Sequence, residues 1–132
     1  MSMNTDVQDV TAESEIRALM DDYLRAVRTW DEALFRSTFD ANANIAHYYV
    51  RGDEVRTISL DQFVDTIRSL HEKFDNAQEI AEHIEVSRVG HLASVRVDFR
   101  FVMGSKEPQG SDLFNLAKVK GRWVIIHKSY WL

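Results

Sequence analysis

Five histidines, twenty-one carboxylates and no cysteine set the chemistry open to this chain. Without a thiol there is no disulfide, thiolate metal site or Cys nucleophile. An imidazole titrates near neutral pH. A carboxylate beside it favours the protonated ring while apolar walls oppose it, so a buried His–Asp pair can be tuned for proton transfer. Asp112 and His127 are candidates for that pair. If Lys120-Gly121 is a two-residue turn, Phe114 lies opposite His127 and Asp112 is its diagonal neighbour. Such neighbours stand roughly 7–8 Å apart, a gap that two side chains or one water can close. A buried carboxyl with no positive partner is instead driven neutral and can donate to a developing enolate oxygen. Glu82 and Asp112 both fit that role. Proton abstraction beside a carbonyl, then isomerisation or β-elimination, needs a base, an oxyanion donor and an apolar slot, with no metal or cofactor.

The ordinary uses of these residues stand beside the chemical ones. A His or Tyr on an apolar face commonly serves as a core residue with one hydrogen bond, which applies to His47 and Tyr23. Glu82, near a strand start, could equally be solvated or ion-paired. His47 and His127 with Glu82 or Asp112 could form a two-His, one-carboxylate site, but the four are dispersed and no metal is assigned. No Gly-rich phosphate loop, Gly-x-Ser-x-Gly elbow or His-Glu-x-x-His motif occurs.

The elements that must position these groups belong to one domain. The chain has 132 residues, 45% of them hydrophobic, enough for a single core. A formal charge of -5 repels nucleic-acid phosphates, and no apolar run is long enough to cross a membrane. Residues 1–10 are polar and acidic and read as a poorly ordered tail before one domain at 11–132, in a cytoplasmic protein.

Thr11 is a candidate N-cap for a helix carrying Ile16, Met20, Tyr23, Val27 and Trp30 on one face, and Asp31 caps a short second helix. A strand follows from Ala43 to Val50. Arg51-Gly52-Asp53 turns it, and Val55, Thr57 and Ile58 form a second short strand. Ser59 and Gln62 form a capping box for a third helix with Phe63, Ile67, Leu70 and Phe74 on one face. Four antiparallel strands follow at 80–89, 92–103, 112–119 and 122–131. Val95, Val97, Phe99 and Phe101 alternate with charged residues, which fixes an inner face. Across a Gly90-His91 turn, strict alternation puts Glu82, Ile84 and Val86 on that face and His83, Glu85 and Ser87 outside.

This order is α+β, and it resembles the nuclear-transport-factor-2-like (NTF2-like) superfamily over roughly Glu13 to Leu132. The segments Ser111-Asp112-Leu113-Phe114-Asn115-Leu116-Ala117-Lys118 and Gly121-Arg122-Trp123-Val124-Ile125-Ile126-His127-Lys128 look like the closing hairpin of its SnoaL-like and "putative lumazine-binding" groups. Phe39-Asp40-Ala41-Asn42-Ala43 and the Val89-Gly90-His91-Leu92-Ala93 turn look like two further signatures. The resemblance implies a cone: a strongly curved, mainly antiparallel sheet around about three helices, enclosing a cavity. It also turns Trp123 and Ile125 inward, and with them His127, Asp112 and Phe114, while Ala43 and Ile45 carry His47 and Tyr49 on their face.

The expected site then has His127 as acid or base, Asp112 orienting it, and His47 nearby. Tyr23, Trp30, Tyr49, Phe63, Glu82, Phe99, Phe101 and Phe114 surround a small apolar organic ligand. The lumazine label implies instead a flavin-like or pterin-like ring stacked on Trp30, Phe99 or Tyr49; no cofactor is assigned. Leu113, Asn115, Ala117 and Val119 share the outer side of one closing strand, and Val124, Ile126, Lys128 and Tyr130 that of the next. Burial against a second copy explains so many apolar groups there, and the superfamily commonly pairs sheet to sheet, so a homodimer is expected. Three functions stay open: a cofactor-independent lyase or isomerase, a ligand-binding module without turnover, and a dimerisation domain.

Overall fold

The computed structural model describes the backbone of residues 2–132 and the side chains of 9–132. Nine elements follow one another: α1 (Ser2–Thr29), α2 (Glu32–Ser37), β1 (Phe39–Tyr49), β2 (Glu54–Ser59), α3 (Leu60–Lys73), β3 (Gln78–Val89), β4 (Leu92–Val102), β5 (Gln109–Val119) and β6 (Arg122–Trp131). The expected tail at 1–10 falls largely on side chains outside the described residues. Thr11 lies inside α1, not at its N-cap.

Helix α1 buries Ala12, Ile16, Met20, Tyr23 and Val27, the three- and four-residue spacing that puts one face on the core. It ends at Trp30, whose backbone is left-handed (φ 48°), and the Asp31 amide turns back to the Ala26 carbonyl at 3.0 Å. Asp31 caps α2 by accepting from the Leu34 amide, and Ser59 and Gln62 complete a reciprocal capping box on α3. These are the caps read from the sequence.

The strands form one open sheet in the order β2-β1-β6-β5-β4-β3. Every neighbouring pair is antiparallel except β1 and β6. Its inner face carries Val95, Val97 and Phe99 from β4 and Phe114 and Leu116 from β5, all at most 2% exposed. The helices α1 and α3 cover that face. At Gly110 a Cβ would collide with the Trp131 carbonyl oxygen and lie 2.9 Å from Phe99, so β5 passes its neighbours there through bare backbone.

Two bulges break the strict alternation. In the β5–β6 pair, Asn115 faces His127 and Leu116 faces Ile125, leaving Ile126 without a partner. In the β3–β4 pair, Ala81 faces Phe99 and His83 faces Asp98, leaving Glu82 unpaired. One extra residue moves every side chain beyond it to the opposite face. His127 therefore turns out and Lys128 and Tyr130 turn in, which corrects the assignment of the latter two to the outer surface. On β3, Glu79 turns in and Glu82 does not.

Candidate functional site

Four polar side chains meet beneath the helices. Tyr23 comes from α1, Glu79 from β3, Asp112 from β5 and Lys128 from β6, and none is more than 6% exposed. They line a cavity of about 70 Å³ with Phe63, Ile67 and Leu70 of α3, Phe99 and Phe101 of β4, and Tyr130. That space exceeds what a single water needs.

The groups form a directional chain. Lys128 Nζ donates to the Tyr23 hydroxyl at 2.5 Å, and that hydroxyl donates to Glu79 Oε1 at 3.3 Å. Lys128 Nζ also lies 3.4 Å from Asp112 Oδ1. It stands over the rings of Phe63 at 4.6 Å and Tyr130 at 4.7 Å, so aromatic faces and a carboxylate together hold the buried cation. Glu79 Oε2 and both Asp112 oxygens have no hydrogen-bond donor among the described residues.

Burial pushes the Glu79 carboxyl well above the ordinary carboxylate range, and the negative charge of Asp112 pushes it further. Its neutral form is thereby favoured over its charged form. Oε1 accepts from Tyr23, which leaves Oε2 as the oxygen free to carry a proton towards the neighbouring Asp112 or a ligand. Burial, then the charges of Glu79 and Asp112, likewise raises the Tyr23 phenol, which stays protonated. The result is one amine, one phenol and two carboxyl groups, of which Glu79 is biased towards its neutral form, around an apolar space. Such a set can accept a proton, donate one and hold an oxyanion.

Of the residues singled out in the sequence, Tyr23, Phe63, Phe99, Phe101 and Asp112 line the cavity. Phe114 supports it from below, edge-on to Tyr23 at 5.2 Å. Trp30 lies elsewhere, stacked on His71 and against Phe35, both at 5.7 Å. His47 packs between Tyr49 and Tyr130, at 3.8 and 4.2 Å, and so reaches the cavity only through Tyr130. Burial, then the positive charges of Lys128 and Arg56, holds its imidazole below the ordinary value. Tyr49 lies under the Arg56 guanidinium, so Trp30, Phe99 and Tyr49 do not converge on one stacking site.

His127 sits on the outer face, where Nδ1 donates to Asn44 Oδ1 at 2.5 Å, and the structure does not bring it to Asp112. Glu82 points outward, 4.0 Å from Arg100. Among the described residues no three His, Asp or Glu side chains are grouped to hold a metal ion. The bulge at Ile126 hides Lys128 from strict alternation, and Glu79 falls outside the strand expected at 80–89, which in the structure starts at Gln78. The run Val124-Ile125-Ile126 was the available signal, since three consecutive apolar residues cannot satisfy a period of two.

No helix among the described residues is long and apolar enough to cross a membrane. No curated protein matches the sequence. Solved structures resemble it over nearly its whole length. An NTF2-like protein of unknown function from Shewanella baltica OS155 is 25% identical with a TM-score of 0.74, covering 92% of this chain and 93% of that one. An NTF2-like protein of unknown function from Pseudomonas putida KT2440 is 17% identical with a TM-score of 0.78, covering 92% and 87%. A structure named as a putative scytalone dehydratase, from Novosphingobium aromaticivorans, is 16% identical with a TM-score of 0.72, covering 92% and 84%. The family described as "Putative lumazine-binding" matches residues 11–131, and with the cone of helices on a curved sheet this makes the chain a member of that family, within the NTF2-like superfamily.

Proposed function

We propose that the protein binds a small, largely apolar organic molecule in the cavity and carries out cofactor-independent acid–base chemistry of the lyase or isomerase type. The observation that carries this reading is the burial of two carboxyl groups, Asp112 and Glu79, together at the wall of an apolar space, where burial favours the neutral form of Glu79. Asp112 takes the proton beside a carbonyl. Glu79 supplies one to the developing oxyanion or leaving group, while Tyr23 and Lys128 balance the charge. The dehydratase named for one structural neighbour is a lyase, which accords with this class. His127 has no part in it.

The test is deuterium exchange into small cyclic ketones in heavy water, followed by proton NMR. Exchange at the carbon beside the carbonyl, lost in Asp112→Asn, supports the reading. Ketone binding without exchange in the unmodified protein favours the second reading, a ligand-binding module without turnover, which the description of the matching family as putative lumazine-binding supports.

We further infer a homodimer through the outer sheet face. Leu113 (58% exposed), Trp131 (46%) and Tyr48 (39%) form an apolar strip across β5, β6 and β1 that water covers poorly. Leu113→Asp should give a monomer by light scattering, and an unmodified protein that is monomeric at high concentration would contradict this.

A further inference from the structure

Lys128 is the one lysine of five whose amine lies inside the cavity; Lys73, Lys106, Lys118 and Lys120 are exposed or half-buried. An ion pair with Asp112 alone would account for a buried cation. It does not account for an amine that also touches a phenol leading to a second carboxyl group, at the wall of an apolar space of about 70 Å³. Those are the parts that condensation of an amine with a carbonyl compound requires: a desolvated amine, a nearby base for its proton, and an acid for the departing oxygen.

We propose that Lys128 forms an imine with a small aldehyde or ketone held in the cavity. The Lys128 ammonium first passes a proton to Asp112, whose Oδ1 is 3.4 Å away. This exchanges a buried ion pair for a neutral one, so no unpaired charge is created in the apolar surroundings. The nitrogen lone pair then attacks the carbonyl carbon, and the carbonyl oxygen takes the proton back from Asp112 to give a carbinolamine. Asp112 removes a second proton from nitrogen. It or Glu79 then protonates the hydroxyl, which leaves as water while the nitrogen lone pair forms the C=N bond. In sum, one C=O bond and two N–H bonds give one C=N bond and the two O–H bonds of water, without oxidant or reductant. The iminium keeps its positive charge where the ammonium stood, beside Asp112 and the rings of Phe63 and Tyr130.

This inference rests on the reading that the cavity admits a small molecule, and the experiment separates the two. The full chain is incubated with propanal or benzaldehyde and sodium cyanoborohydride, which reduces an imine to a stable secondary amine. Intact mass and peptide mapping follow. A single alkylation at Lys128, faster by about tenfold or more than at any other lysine and absent from Lys128→Met, is the expected result. Mapping of the unmodified protein decides the matter even where Lys128→Met fails to fold. Alkylation of the exposed lysines first overturns the proposal. In parallel, ligand-observed NMR follows benzyl alcohol, which cannot form an imine. Its binding without alkylation of Lys128 overturns the imine and leaves the pocket standing; neither binding nor alkylation overturns both.

Discussion

Lys128 and Asp112 face each other from adjacent strands with 3.4 Å between Nζ and Oδ1, and their side chains are 3% and 0% exposed. A charge pair this dry survives because each ion offsets the other and because aromatic faces supplement the carboxylate. Removing one partner leaves the other stranded. Lys128→Met should therefore lower stability by about 3–5 kcal/mol in urea unfolding. The double variant Lys128→Met/Asp112→Asn should recover a large part of that loss. Equal loss in the single and double variants would mean the pair is not coupled.

The raised Glu79 carboxyl makes stability depend on pH. In the unfolded chain the group ionises in the ordinary carboxylate range, while in the folded protein it keeps its proton to well above that range. Between those two values the folded state binds the extra proton. Its stabilising contribution is full below the unfolded value and is lost as pH rises through the folded one, at up to about 1.4 kcal/mol per pH unit for a single group. Glu79→Gln, which has no proton to lose, should flatten that part of the stability profile. Identical profiles for the two proteins would show that Glu79 ionises normally.

Tyr23 links the cation to the acid through one oxygen. Tyr23→Phe keeps the ring packing and leaves a Lys128 donor without its acceptor, so a loss of about 1–3 kcal/mol is expected, measured by denaturant unfolding. The same variant should slow ketone deuterium exchange with little change in ketone binding. A variant as stable and active as the parent would place the phenol outside the relay.

Gly110→Ala tests the close approach at the end of β5. The new methyl would collide with the Trp131 carbonyl, which is backbone and cannot swing aside. A loss of about 3 kcal/mol or more is expected by thermal or urea unfolding. A neutral effect would show that β5 and β6 separate there without cost.

Much of the fold was legible because it is written in short-range signals. The Asp31 and Ser59 caps, the apolar face of α1 from Ile16 to Val27 and the alternation from Val95 to Phe101 each specify one element. The site was legible only in part, because a face assignment propagates along a strand from its turn and one unpaired residue reverses everything beyond it. Asp112 and Tyr23 lie on uninterrupted stretches and were placed in the cavity. Lys128 lies beyond the bulge at Ile126, where strict alternation selects His127, and Glu79 lies both beyond the bulge at Glu82 and before the expected strand start at Ile80.

The central claim is that Glu79 is a neutral acid beside the Asp112 carboxylate, and the side-chain carboxyl carbon of Glu79 reports it directly. In a protein with ¹³C-labelled carboxyl groups, with Glu79→Gln used to assign the signal, NMR at neutral pH should show the chemical shift of a protonated acid. On raising the pH it should move only well above the ordinary carboxylate range, with Asp112 sensing the same event. A Glu79 signal that titrates with the exposed glutamates would contradict the account.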